Sequence, residues 1–354
     1  MKISIGTNIK DGPWGGGNLF AQNLKNYLLK KGHTVTTNLL ADDIDLILIT
    51  EPRRTSESSA YTNLDVLNYL KYVNSETLVV HRINECDERK GTNFVNKYLI
   101  EANKVADQTV FVSTWLKNLF LEQGINKKNN DVILAGANTE IFNDVGYLEW
   151  DKKTKLKLVT HHWGANWNKG FEIYAKIDNL LAGDKWKEKI EFTYIGNIPK
   201  KFKFRNSTLL EPTSGLELAK LIKSNHVYIT GSLNEPSGNH HIEGAQCGLP
   251  LMYINSGGMS EYCKGYGVEF SVDNLEDKIT DMINNYDLYL EKVKNYKFSA
   301  EAMCRDYENL FINMLKKKEF YYNSRIIEIN KNKIFEFFYL YKRKRIKSNL
   351  LKKN

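Results

Sequence analysis

GSLNEPSGNHHIEGAQCGLPLMYINSGGMSE occupies residues 231–261, and the architecture follows from how it is parsed. The apolar run Val227–Thr230 before it is a strand candidate. Glu235 follows in a loop with Pro236, Ser237, Gly238 and Asn239, and Glu243 stands on a helix expected near His241–Cys247. Gly248-Leu249-Pro250 turns the chain into another strand candidate, Leu251–Asn255, and Gly257-Gly258 opens a further helix. Strand, glycine loop, helix, strand is a βαβ unit of a parallel sheet. A glycine-bearing loop at a helix N-terminus offers backbone N–H groups to phosphate or sugar hydroxyls. Carboxylates accept paired hydrogen bonds from vicinal hydroxyls, which suits ribose and hexose.

The same alternation extends outward. Leu156–His161 and Ile190–Ile195 are strand candidates, with helices near Phe171–Leu181 and Gly215–Lys223. Towards the N-terminus the strand candidates are Lys2–Thr7, Thr34–Asn38, Asp45–Thr50, Thr77–Arg82, Gln108–Val112 and Asp131–Leu134. Helical patterns fill the gaps at Asn18–Lys31, Leu64–Val73, Phe94–Ala106 and Thr114–Gln123. Ala135–Trp150, rich in Gly, Asn, Asp and Glu, interrupts the pattern and reads as a linker. The expectation is α/β: residues 1–140 and 151–298 as two doubly wound domains facing each other across a cleft. Residues 299–317 form a helix that crosses back, and 318–354 a basic, aromatic extension. A chain of 354 residues suits two domains, and its +8 charge favours anionic partners. Cys86, Cys247, Cys263 and Cys304 have neither zinc nor disulfide spacing, so reduced thiols are expected. Residues 1–7 read as a strand rather than a signal peptide, and no window has the length of apolar residues a membrane span needs.

Two more loops sit between a strand and a helix. Asp11–Asn18 (DGPWGGGN) places Gly15, Gly16 and Gly17 where backbone N–H groups can approach a phosphate or an acceptor; an ordinary turn uses the same residues. His161–Gly170 (HHWGANWNKG) places Lys169 where an ammonium would stabilise a departing diphosphate, with Asn166 and the backbone as further donors. A surface lysine at a helix start would look the same.

These motifs together resemble family 4 retaining glycosyltransferases, of the GT-B fold, with their E-x7-E signature. The stretch from Ser232 to Glu261 follows S-x-x-E-P-x-G-x-x-x-x-E-A-x-x-x-G-x-P and G-G-x-x-E, with Gly244 where alanine is common. Gly32-His33-Thr34-Val35 resembles the family's G-H-x-V, and Gly136-Ala137-Asn138 with Phe142 its linker motif. Lys169-Gly170 resembles the K-G of the donor-phosphate loop, and Gly196-Asn197 the glycine turn near the base; the match runs over most of 1–317. The resemblance implies that Glu243 binds the donor ribose and Glu235 the transferred sugar, beside amides of Ser237, Gly238 and Asn239. It gives Lys169 the diphosphate and makes His81 a histidine near the donor sugar. Many members carry arginine five residues before the K-G lysine; Gly164 stands there, so a cation from elsewhere, Lys169, Asn166 or backbone donors must serve. H-H-W-x-x-N-x-x-K-G is closer to a subgroup of surface-polysaccharide transferases.

The partners so implied are a nucleotide sugar and a glycan or lipid-linked acceptor, with no metal or other cofactor and no nucleic acid. Asp43-Ile44-Asp45 has the spacing of a metal-binding pair but precedes its strand, so it reads as turn chemistry. His240 and His241 lack zinc spacing; Glu85, Asp87 and Glu88 could bind a cation but read rather as a solvated acidic loop that contacts the acceptor. A GT-B epimerase or phosphorylase would share the fold and part of the donor site. A nucleic-acid-binding protein has no supporting motif, and a dinucleotide oxidoreductase lacks G-x-G-x-x-G. The tail Lys331–Asn354 mixes Phe335, Phe337, Phe338 and Tyr341 with Lys342–Arg345 and Lys347. It is expected to hold a cytoplasmic enzyme at the inner, anionic membrane face, or else to pack on the first domain.

Overall fold

The structure, a computed structural model, describes residues 1–10, 12, 15–125, 128–325 and 332–351. Among them are two six-stranded sheets, every strand parallel to its neighbours. The first contains β1 (Lys2–Ile5), β2 (Thr34–Thr36), β3 (Leu46–Ile49), β4 (Leu78–Ile83), β5 (Gln108–Phe111) and β6 (Asn130–Val132), in the order β2-β1-β3-β4-β5-β6. Its helices are α1 (Gly16–Lys30), α2 (Asn63–Tyr72), α3 (Asp87–Lys90), α4 (Val95–Asn103) and α5 (Thr114–Glu122). The second contains β7 (Leu156–His162), β8 (Ile190–Gly196), β9 (Thr208–Leu210), β10 (Val227–Thr230), β11 (Leu251–Ile254) and β12 (Gly267–Phe270), in the order β12-β11-β10-β7-β8-β9. A 3-10 turn at Trp167–Lys169 leads into α6 (Phe171–Leu180), followed by α7 (Asp184–Lys187), α8 (Gly215–Lys223), α9 (Asn239–Gln246) and α10 (Met259–Cys263).

β3 (LILI) and β4 (LVVHRI) are buried along their whole length, as strands covered by helices on both faces must be. The strand order reverses between β1 and β3 in one sheet and between β7 and β10 in the other. Such a reversal opens a crevice at the carboxyl ends of the strands. The loops DGPWGGGN, HHWGANWNKG and NEPSGN all leave strands flanking these two points; Asp11, Pro13 and Trp14 lie outside the described residues.

After α11 (Leu275–Asn284) and α12 (Tyr286–Val293), α13 (Ala300–Lys316) leaves the second sheet and lies on the first. Glu308 there accepts hydrogen bonds from Tyr27 at 3.0 Å and, at 2.9 Å, from His33 of the G-H-x-V motif. Ala300 N–H donates to Ala137 O at 2.7 Å and Ala137 N–H to Phe298 O at 3.2 Å, so the outgoing and returning chains pair side by side. α14 (Lys318–Asn323) follows, and Arg325 makes a buried ion pair with Asp107 at 2.6 Å.

The tail forms α15 (Lys333–Leu351) and packs on the first sheet's side of the molecule; residues 331 and 352–354 lie outside the described residues. Arg343 donates to the carbonyls of Leu39, Leu40 and Ala41 and pairs with Asp42 at 2.8 Å. The Tyr72 ring meets Phe335 and Tyr339 at 5.6 and 5.7 Å between centroids. No described helix is long and apolar enough to cross a membrane. Asp43 pairs with Lys2 at 2.6 Å and Asp45 accepts from Lys2 N–H at 2.7 Å, so the D-I-D segment is turn chemistry at the far sheet edge. All four cysteines are buried and unbridged.

Candidate active site

A cavity of about 510 Å³ opens between the carboxyl ends of the two sheets. Its walls include Gly15, Gly16 and Gly17 from the first half, and Asn166, Lys169, Gly196, Glu235, Ser237, Gly238, Asn239 and Glu243 from the second. The N-termini of α1 and α9 meet across it: a Cβ on Gly16 would come within 3.1 Å of Asn239 Nδ2. Neither helix has a capping side chain or an acidic residue in its first turn, so their free N–H groups favour an anion.

Glu235 is buried between two cations, with Lys169 Nζ at 2.6 Å from Oε2 and Arg89 Nε at 3.0 Å from Oε1. Arg89 also pairs with Glu85 at 3.0 Å. Burial by itself raises the Glu235 carboxyl, but Arg89 and then Lys169 overcome it and hold the group well below the carboxylate range. Burial pulls Lys169 below the ordinary lysine value, with Glu235 opposing. Gly238 enters α9 with φ of +70°, and a Cβ there would lie 2.8 Å from His240 and 2.9 Å from Glu235, so this turn needs glycine.

Glu243 is set by a chain of contacts. His161 Nε2 donates to its Oε2 at 2.8 Å, which leaves Nδ1 to accept from the Tyr228 hydroxyl at 3.0 Å. Among the described residues no donor reaches Glu243 Oε1, which is free for a ligand. Tyr228 lies so close to α9 that a Cβ on Gly244 would sit 2.3 Å from its ring. The glycine that departs from the family pattern therefore makes room for the tyrosine that orients His161. His162, bonded to Tyr174 at 2.7 Å, and His240, bonded to Thr230 at 2.9 Å, also line the cavity. Burial keeps both neutral.

Three expectations are corrected. His81 does not reach the cavity: it is fully buried on β4, Nδ1 bonds Asn103 of α4 at 2.9 Å, and burial lowers it to about 4. Strand alternation sends its neighbour Arg82 into the cavity instead. Asn197 is exposed outside the cavity and donates to Trp163 O at 2.8 Å. The E-C-D-E segment is not a freely solvated loop but half-buried: Glu85 lines the cavity and pairs with Arg89 and Lys90, while Asp87 caps α4 through Phe94, Val95 and Asn96 N–H. His161, Tyr228, Arg82 and Arg89 complete the site without belonging to a motif that assigns them a role. Only the His161-His162 pair carries a signal in the sequence.

The fold is GT-B. No family model matches the chain. An uncharacterised protein of Sulfolobus islandicus rod-shaped virus 1 is 24% identical over 262 residues, 63% of this chain and 70% of that one. Among solved structures, sucrose-phosphate synthase from Thermosynechococcus elongatus superposes with a TM-score of 0.61 at 14% identity, covering 90% of this chain and 100% of that one. A glycosyltransferase from Rickettsia africae gives 0.64 at 15% identity, covering 89% and 98%. Anabaena Alr3699/HepE, in complex with UDP-glucose, gives 0.67 at 12% identity, covering 88% and 100%.

Proposed function

We propose that this protein is a retaining glycosyltransferase of the family 4 type, moving a sugar from a nucleotide-diphosphate sugar to a glycan or lipid-linked acceptor in surface-polysaccharide or glycoconjugate synthesis. The observation that carries the proposal is the convergence of Lys169, Glu235 and Glu243 with the uncapped N-terminus of α9 on one cavity wall. Glu243 Oε1 accepts from the donor ribose while His161 holds Oε2. Glu235 contacts the transferred sugar beside the amides of Ser237, Gly238 and Asn239. A departing diphosphate gains negative charge, and fixed cations in a water-poor site stabilise it. Lys169 is one such cation. Arg89, reaching over from α3, supplies the second where Gly164 stands in place of arginine. With these charges in place the reading invokes no metal or other cofactor.

The test is a panel of nucleotide sugars, with the product followed by NMR. The reading expects turnover of one donor, a product with the donor's anomeric configuration, and activity that survives EDTA. An inverted product, or strict dependence on added divalent metal, contradicts it.

The proposal includes a place of work at the anionic inner membrane face. α15 docks through Tyr339, Arg343 and Lys347, which leaves Ile334, Phe337, Phe338 and Tyr341 on the opposite side, followed by Lys344 and Arg345. Phe337 and Phe338 are 66% and 63% exposed, and cations next to such rings suit an anionic lipid interface.

A further inference from the structure

Arg82 is 5% exposed, yet its Nε has no hydrogen-bond partner and no carboxylate pairs with it among the described residues. The other buried or half-buried arginines are all paired: Arg53 with Glu51, Arg89 with Glu85 and Glu235, Arg325 with Asp107, Arg343 with Asp42. The Arg82 guanidinium instead lies over the Phe20 ring, 3.9 Å from its centroid, with Tyr307 packed edge-on against the same ring at 5.1 Å and its neutral hydroxyl the nearest polar group to the cation. A ring face offsets only part of what burying a charge costs, and arginine does not escape by losing its proton. The group opens into the cavity beside Gly15, Gly16 and Gly17. There α1, a helix of 15 residues, presents its uncapped N-terminus. A buried cation with no carboxylate partner and, among the described residues, uncapped N–H groups lining the same cavity describe a place for an anion.

We infer that Arg82 and the N-terminus of α1 bind a carboxylate or phosphate carried by the substrate that receives the sugar. The word "receives" rests on the transferase reading; the anion site does not. The donor-binding groups Lys169, Glu243 and α9 come from the second sheet, and Arg89, which reaches over from α3, is tied to them by Glu235. Arg82, on β4 of the first sheet, pairs with none of these groups, so it is free for the other substrate. The acceptor is then an acidic sugar, a sugar phosphate or a phosphate-bearing lipid, rather than a neutral glycan.

The test measures binding, so that it stands apart from turnover. Inorganic phosphate, glucuronate and, as the neutral control, glucose are titrated calorimetrically into wild type, Arg82→Met, Arg82→Lys and Lys169→Met. UDP and ADP are titrated in parallel, and melting temperatures are recorded. Arg82→Met should lose glucuronate and its share of phosphate affinity by on the order of tenfold or more. It should keep its nucleotide affinity and melt no lower than wild type, because a charge buried without a partner has been removed. Arg82→Lys should retain part of the anion affinity, and Lys169→Met should keep glucuronate binding. The inference is overturned if wild type binds neither anion, or if Arg82→Met binds both as wild type does. It is equally overturned if Arg82→Met loses nucleotide affinity, which assigns the arginine to the donor, or if it melts lower or fails to fold, which makes it structural. A failure of the transferase reading shows elsewhere, as absent turnover of every nucleotide sugar.

Discussion

Replacing Gly244 by alanine, the residue common at this place in the family the sequence resembles, should damage both stability and nucleotide binding. The new methyl group would lie 2.3 Å from two carbons of the Tyr228 ring and 2.9 Å from the Tyr228 Cβ. Carbon atoms in contact need about 3.5 Å. Ring and helix must therefore separate by roughly 1 Å in a close-packed interior. Tyr228 has little room to yield, since β10 is hydrogen-bonded between β7 and β11. Overpacking of this kind costs about 1–3 kcal/mol. Displacing the hydroxyl from His161 adds about 1 kcal/mol for the lost hydrogen bond. Urea unfolding should show a lower midpoint, and calorimetric titration a weaker nucleotide affinity as His161 shifts against Glu243. On a Tyr228→Ala background, already destabilised by about 3–5 kcal/mol, the same methyl group should cost nothing or restore stability by filling the space. A Gly244→Ala protein with the wild-type midpoint and affinity would refute the chain of contacts from α9 through Tyr228 to Glu243.

Glu243→Ala should weaken nucleotide-sugar binding by about 1.5–3 kcal/mol while leaving the melting temperature near wild type; unchanged affinity by calorimetry sinks its assignment to the ribose. Lys169→Ala should lower kcat more than it raises KM, because the leaving-group charge grows only in the transition state; steady-state kinetics decide. His81 and His241 are buried and neutral, lowered by burial to about 4 and about 3 from 6.5. A depressed histidine is stabilising above its unfolded value and loses that contribution as pH falls from 6.5 towards the folded value; His81 and His241 together lose about 3 kcal/mol between pH 7.5 and pH 5.5, and His162, His226 and His240, lowered by burial in the same direction, add to it, so unfolding free energy should fall by at least that much. Urea titrations at the two pH values check this, and equal stabilities contradict it. Phe337→Glu with Phe338→Glu should abolish sedimentation with anionic liposomes at low salt without changing the melting temperature. Full-length protein that ignores such liposomes removes the membrane claim.

The strongly periodic parts of the fold were legible. Val227–Thr230 is legible to the residue, and β1, β3, β4, β5, β7 and β8 to within a few, because buried parallel strands are continuous apolar runs between turns. β9 and β12 escaped notice. Both are edge strands, three and four residues long, and β9 (TLL) is largely exposed, so neither carries an apolar block. In the site, the glycine loops and Lys169, Glu235 and Glu243 could be placed because motif and predicted element coincided. His81 and Arg82 show the limit. They are adjacent in one strand, and the two-residue alternation decides which faces the cavity; a one-residue misreading exchanges them. Arg89 was out of reach for a different reason. Its partner Glu235 is 146 positions away, and no local pattern encodes an ion pair made by two separate sheets.

The pairing of Ala137 with Phe298 and Ala300 has an evolutionary consequence. The chain leaves the first sheet's body once, returns once, and does both at the same spot. The second sheet's body is therefore an insert whose two ends touch, flanked by an N-terminal portion and by α13 to α15 that together complete the other body. Inserts with adjoining ends can be exchanged without unravelling their host. Recombination at these two neighbouring peptides would replace the Glu243 wall as a cassette and leave the Arg82 wall untouched, so that selectivity for one substrate can drift while selectivity for the other is inherited intact.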